Sequence, residues 1–344
     1  MPVDLLGDIR EEAEATNFQA AAKSTKSRYK ISKLDPNKFI VRPPGRIFGL
    51  YGETASGKST FFASLPFLQK KFIPDWQAIA PKTADLLNSN FLPEIKKVGI
   101  MDGEFKWGVD MASGSWRKRG YTEFFKNGEI EVVSVLLPRK AEIIDSNGAT
   151  IVSAAGIEDA RQYYEDALDG FFERDDIDAI CIDPLGEYLN LLDEKFYAMM
   201  GRVMPSPDRK DNNPVDTEGL KQVHYTIRNR WFHEMLKKIR ASQKWVFTSF
   251  RIKKVPPGYQ EKKEVKDDLF DTKQYSVEWV NMTDHRLDQV YNLTRAPGKT
   301  PKEDKYYWNW KKGPFRPDNG SLSIPNTQYV APVVFNDIAD SMMN

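Results

Sequence analysis

Cysteine is almost missing from this chain: Cys181 is the only one in 344 residues. An internal disulfide is therefore excluded, and Cys181, inside the apolar run Ala179-Ile-Cys-Ile, reads as a buried small hydrophobe. Histidine is scarce too, with only His224, His233 and His285. One Cys and three His do not assemble a structural zinc site. No apolar run reaches the roughly 20 residues that span a bilayer. The N-terminal Met1-Pro-Val-Asp-Leu-Leu lacks the charged and apolar regions of a signal peptide. These absences lead to the expectation of a cytoplasmic protein in a reducing compartment, with no membrane partner. A surplus of either charge is also lacking: 50 Lys and Arg face 49 Asp and Glu, for a formal net charge of +1. Any contact with nucleic acid must then come from local basic patches. The remaining composition, 40% apolar and 29% charged, is that of a globular chain with ample material for a core.

One stretch organises the rest. Arg46-Ile-Phe-Gly-Leu-Tyr-Gly-Glu-Thr-Ala-Ser-Gly-Lys-Ser-Thr60 contains Gly52-x-x-x-x-Gly57-Lys58-Ser59, a complete phosphate-binding P-loop. Ile47 to Tyr51 reads as a buried strand leading in. Thr60 to Lys70 carries helical apolar spacing through Phe61, Phe62, Leu65 and Leu68. In such a strand–loop–helix the backbone amides turn inward around phosphate oxygens, and the helix start adds partial positive charge. The nucleotide-binding set is Gly52, Glu53, Thr54, Ala55, Ser56, Gly57, Lys58, Ser59 and Thr60. Lys58 would reach the β- and γ-phosphates, and the Ser59 hydroxyl would ligate Mg²⁺. A nucleoside triphosphate with Mg²⁺ is the expected ligand.

In chain order, residues 1–37 are a polar N-terminal arm with an acidic and then a basic half, a candidate oligomerisation segment. Within it lies Phe18-Gln-Ala-Ala21. Residues 38–316 form the expected core domain and 317–344 a loop-rich C-terminal tail with a weak helix at its end. Further buried strands are expected at Val98–Met101, Glu131–Leu137, Ile177–Asp183 and Lys244–Phe250, with a late pair at Leu287–Thr294 and Tyr306–Lys311. Helices are expected at Ile157–Glu173 and Leu220–Ala241. Trp116 to Phe125 reads as a basic, aromatic helix, with Trp116-Arg-Lys-Arg119 as an ordinary exposed face. Two long loops are expected, 184–217 and 251–274. Strands alternating with helices imply an α/β fold with a mostly parallel central sheet and helices on both faces.

A P-loop needs a second carboxylate to hold Mg²⁺, and Asp183, ending the apolar strand Ala179-Ile-Cys-Ile, has the Walker B pattern. Pro184 follows it, where ATPases of the AAA+ type carry a water-activating Glu. The base must then come from elsewhere. Glu104 is the leading candidate, just past the end of the strand Val98–Met101 and facing the γ-phosphate from a strand neighbouring the P-loop strand. Asp102 and Glu187 are the alternatives.

This set of residues resembles the RecA-type P-loop ATPase core, most closely that of phage- or virus-encoded ATPases found beside single-strand annealing or replication genes. The likeness runs over residues 38–316. A strand ending in Asp-x-Glu matches Ile100-Met-Asp-Gly-Glu104, and the Walker B strand matches Ile182-Asp-Pro-Leu-Gly. The γ-phosphate sensor strand matches Phe247-Thr-Ser-Phe-Arg-Ile-Lys-Lys254, with Thr248 and Ser249 at the sensor positions, where the family prefers an amide. The resemblance implies ATP as the nucleotide, hydrolysed to ADP and phosphate in a DNA-dependent way. It implies Glu104 and Lys58 as catalytic residues, and single-stranded DNA as a partner in recombination, annealing or replication. It also implies self-association as a filament or ring, in which the next subunit supplies a cation such as Lys311, Lys312, Arg251 or Lys253. The segment at Phe18 resembles the Phe-x-x-Ala arm that plugs into a neighbouring subunit. DNA contacts would come from Arg251, Lys253, Lys254, Lys262 and Lys263, with Tyr259 or Phe250 for base stacking. A hexameric replicative helicase of the DnaB or RepA kind shares the core and stays open. So does a P-loop kinase, although no compact Arg-rich lid is evident.

Overall fold

The buried run Ile47–Gly52 forms β1, every residue of it shut off from solvent. A strand hidden on both faces is the signature of a parallel sheet covered by helices on each side. The computed structural model describes residues 46–53, 55–104, 106–108, 114–118, 120–135, 142–144, 150–152, 154–199, 222–254, 275–277, 279–280, 282–296, 298, 304–324 and 327–343. The N-terminal arm with Phe18, and all of the segments 203–217 and 255–274, the latter with Tyr259, Lys262 and Lys263, lie outside the described residues.

The strands in chain order are β1, β2 (Val98–Asp102), β3 (Ile130–Ser134), β4 (Glu142–Ile144), β5 (Thr150–Val152), β6 (Ala179–Asp183), β7 (Trp245–Phe250), β8 (Ile252–Lys254), β9 (Tyr275–Val277), β10 (Gln289–Ala296), β11 (Lys305–Lys312) and β12 (Ser321–Ile324). Eight of them make one sheet in the order β12-β11-β10-β1-β7-β6-β2-β3. From β10 to β3 all neighbours are parallel; β11 and β12 add an antiparallel edge. The α/β expectation with a mostly parallel sheet holds. Two small ribbons, β4–β5 and β8–β9, stand apart from it.

Six longer helices are α1 (Lys58–Ser64), α2 (Pro81–Asn88), α3 (Ala154–Glu173), α4 (Gly186–Met199), α5 (Gln222–Ala241) and α6 (Val330–Met343). The period of two along each strand divides the core. Phe48, Leu50, Val98, Ile100, Cys181, Phe247 and Leu293 face α1, α2 and α6. Ile47, Tyr51, Met101, Ile180, Ile182, Val246 and Val290 face α3, α4 and α5. Helices therefore cover both faces.

Four expectations are corrected. The segment from Pro317 is no loop-rich tail: β12 extends the sheet, and α6 buries Val330, Ala331, Val334, Phe335, Ile338 and Ala339 in the core. Pro332 is tolerated in α6 because at the third helical position its missing N–H has no intrahelical acceptor to lose. The Ser64 hydroxyl, at the end of α1, accepts from the Ala331 N–H at 2.9 Å and satisfies one of the orphan donors. Second, residues 184–217 are not one loop, because α4 occupies Gly186–Met199. Third, Trp116 to Phe125 is two helical turns, Ser115–Lys118 and Thr122–Lys126, broken at Gly120 with φ +77°. Trp116 is buried and stacked on Trp107 at 5.0 Å instead of lying on an exposed face. Fourth, β2 does not neighbour β1: β7 and β6 lie between them.

Candidate functional site

The parallel registers align the strand ends. Asp102 pairs with Asp183 across β2 and β6, Ile182 with Thr248 across β6 and β7, and Leu50 with Ser249 across β7 and β1. Gly52, Asp102, Asp183 and Ser249 consequently meet at one edge, the carboxyl edge where ligands bind in open parallel sheets.

Gly52 ends β1 where a Cβ would lie 2.1 Å from the Leu293 carbonyl oxygen, so only glycine lets the loop leave the strand there. Gly57, at φ +96°, turns the chain into α1. Lys58 folds back over the loop it belongs to. Its Nζ donates to the carbonyl oxygens of Gly52 and Glu53, each at 2.9 Å, and to Ser56 Oγ at 3.2 Å. Burial pulls its pKa down to about 8, against the attraction of Asp183 and with the help of nearby Lys106.

Ser59 lies directly across from Asp183, its hydroxyl donating to Oδ2 at 2.7 Å. Ser249 donates to the other oxygen, Oδ1, at 2.5 Å, and the Trp107 indole Nε1 donates to Oδ2 at 3.1 Å. Three donors fix the carboxylate plane. Among the described residues no three His, Cys, Asp or Glu side chains converge as a metal cluster. A hydroxyl and a carboxylate side by side nevertheless suit Mg²⁺, a hard cation that takes one or two protein oxygens and fills its shell with water and phosphate.

The two sensor candidates separate. Ser249 has odd parity on β7 with Trp245 and Phe247, on the α1 face. Thr248 points to the opposite face, fully buried, and its Oγ1 donates to the Phe48 carbonyl at 3.1 Å. Thr248 is a strand-to-strand tie and Ser249 is the residue at the site. The alternation that separates them is visible in the sequence.

Asp102 is fully used within its own turn. It accepts from the amides of Glu104 (3.2 Å), Lys106 (3.1 Å) and Trp107 (3.0 Å), and from Ser134 Oγ at 3.4 Å. Burial raises its pKa while the amides of Trp107 and Lys106 pull it back. It shapes the turn that presents Glu104 and Trp107, and its lone pairs are committed. Glu104 lies at the rim with its side chain 12% exposed, ion-paired to Lys106 and Arg251. Arg251 also pairs with Glu187. The structure thus brings Glu104, Glu187 and Arg251 together. Gly103 allows this: a Cβ there would lie 2.8 Å from Glu187 Cγ.

Lys106 and Trp107 carry no motif that marks them in the sequence. Their only signal is position, two and three residues past the Asp-x-Glu element. Of the remaining candidates, Lys253 and Lys254 lie on β8, directly after Arg251. Lys312 is engaged by the Asp284 carbonyl at 2.5 Å. Thr54 lies outside the described residues.

No protein-family model matches this chain, and no curated protein matches it. Among solved structures it is similar to a KaiC-like protein, PH0186, from Pyrococcus horikoshii OT3, with 11% identity over 79% of this chain and 81% of that one and a TM-score of 0.36. It is also similar to the flagellar accessory protein FlaH of Methanocaldococcus jannaschii, with 12% identity, 86% and 92% coverage and a TM-score of 0.36. Likenesses this remote say nothing of activity; the chemistry has to come from the site's own residues.

Proposed function

We propose that this chain binds ATP with Mg²⁺, hydrolyses it to ADP and phosphate, and does so as a self-associating protein on single-stranded DNA. The observation that carries the ATPase reading is the convergence of Lys58, Ser59, Asp183 and Ser249 at the mouth of a complete P-loop. Lys58 exchanges its contacts with the Gly52 and Glu53 carbonyls for phosphate oxygens, a stronger charge-assisted partner. Ser59 and Asp183 hold Mg²⁺, whose part is to neutralise charge on the phosphates. Ser249, bound to Asp183 Oδ1, keeps that carboxylate turned toward Ser59. Glu104 orients the attacking water, a role that suits a carboxylate at the same sheet edge.

The DNA reading rests on position and charge. Arg251, just past the end of β7, leads into β8, which carries Lys253 and Lys254, so a phosphate backbone gripped there would lie one strand end from the nucleotide. Lys262 and Lys263 belong to the same connection. The support for self-association is the resemblance of the Phe18-Gln-Ala-Ala21 segment to a Phe-x-x-Ala arm.

The test is ATP turnover with and without single-stranded DNA, for the natural chain and for Glu104→Gln. The expected result is DNA-stimulated release of phosphate that falls at least about a hundredfold in the variant, the scale of a lost general base. Turnover indifferent to DNA and to the substitution would remove both assignments. A phosphorylated product in place of free phosphate would make the protein a kinase.

A further inference from the structure

Glu104 is not waiting for water. Its Oε1 accepts from Nε and Nη2 of Arg251, and its Oε2 is paired with Lys106 Nζ. A carboxylate that orients a nucleophile needs a lone pair directed at that water. Here both oxygens are taken by cations, and the carboxylate itself is only 12% exposed although Lys106 and Arg251 reach out to solvent. Arg251 is itself braced from the far side, because the same Nη2 also reaches Glu187 Oε1 on α4. Gly103 is the residue that admits Glu187: any side chain at 103 would occupy the space of Glu187 Cγ and Cβ, at 2.8 and 3.0 Å. The Gly103 amide donates to the Asp183 carbonyl at 3.0 Å, which fixes this turn against the Walker B strand.

We infer that Arg251 is a positioning residue that, braced by Glu187, holds Glu104 in an ion-paired resting state, and that turnover requires this hold to be released. The inference rests on the ATPase reading above and assigns its regulation. Release has a built-in handle. Arg251 is the single residue between β7, which carries Ser249, and β8, the first strand of the ribbon. A partner that engages the ribbon pulls on Arg251 before it pulls on anything else in the site. Under the DNA reading, single-stranded DNA on Lys253 and Lys254 is that partner, and stimulation of hydrolysis is the withdrawal of Arg251 from Glu104.

Two variants of the full chain test this, Glu187→Gln and Arg251→Met, with melting curves to establish that each folds; Glu187→Gln removes the brace while leaving both Glu104 and Arg251 in place. The first readout needs no hydrolysis. Carboxyl groups are coupled to glycine ethyl ester with a carbodiimide, and the rate at Glu104 is followed by peptide mass spectrometry. The second is kcat and KM for ATP, with and without single-stranded DNA. The expected result is Glu104 coupling about fivefold faster in both variants, a scale typical of one lost coupling between sites. In Glu187→Gln the DNA-free kcat rises by a similar factor, KM stays the same, and the stimulation ratio shrinks. Unchanged coupling in both variants overturns the hold, whatever the chain does with ATP. Faster coupling with turnover unchanged or reduced overturns the restraint, since Arg251 would then be assisting Glu104. A natural chain that never hydrolyses ATP, with coupling still faster in the variants, leaves an ion pair without a catalytic role. That result overturns both the ATPase reading and the resting state.

Discussion

Lys58 keeps its ammonium group under the P-loop carbonyls, and the burial that brings its pKa to about 8 puts its titration within reach of experiment. Phosphate binding favours the charged form. Well below pH 8 the free chain already carries the proton, so ATP affinity should be flat there. Above it the proton must be taken up on binding, and affinity should weaken toward about tenfold per pH unit. ATP titrations from about pH 6.5 to about 9.5 would show this as a single break near the free pKa. The stability sign is opposite: the unfolded chain holds this proton up to its ordinary 10.5, so Lys58's contribution to stability rises with pH between about 8 and 10.5. Ser249 and Thr248 give a second contrast. Ser249→Ala removes a donor from Asp183 and should lower turnover about tenfold while raising the Mg²⁺ concentration needed, a loss of about 1.4 kcal/mol. Thr248→Val loses only its bond to the Phe48 carbonyl. It should leave turnover intact and cost about 1 kcal/mol, read as a small fall in the melting temperature.

At the scale of elements, those with strong local signals were legible in the sequence. β1 and α1 followed from an apolar run, a glycine turn and helical spacing, because a P-loop must be a strand, a loop and a helix at fixed offsets. The strands β2, β6 and β7 were readable as short apolar runs, the first two closed by Asp102 and Asp183 and the third carrying Ser249 one residue before its end. α6 was not. Its Val-Ala-Pro-Val-Val-Phe start carries β-branched residues and a proline, and nothing local says that α1 and α2 supply its missing partners. Those partners are tertiary: Ser64 Oγ for the Ala331 amide and the Thr83 hydroxyl on the Pro332 carbonyl at 2.7 Å. Phe335 lies at 0% exposure, packed on Phe48, Phe61 and Trp245. Phe335→Ala should therefore cost about 3–5 kcal/mol in a denaturant titration. A loss below about 1 kcal/mol, the range of surface substitutions, would mean that α6 is only draped on the core.

For the molecule as a whole, residues alone determined that a phosphate-binding loop exists, that Asp183 answers Ser59 across 124 positions of chain, and that the sheet is mostly parallel. Those conclusions follow from patterns whose physics is local: glycines where backbone must turn, a lysine and a hydroxyl one after the other, apolar runs hidden on both faces. Tertiary structure alone decided which side of β7 faces the P-loop, since a one-residue step reverses a strand's faces and only the register with β1 and β6 sets the direction. It decided that Asp102 is consumed by the turn amides while Glu104 stands at the rim. It also decided that Arg251, 147 residues further along, closes on Glu104 instead of lying in a charged loop. Ion pairs between distant segments leave no trace in spacing or composition, because either partner would look the same exposed to water. The strand order that brings β2, β6 and β7 side by side is what creates them.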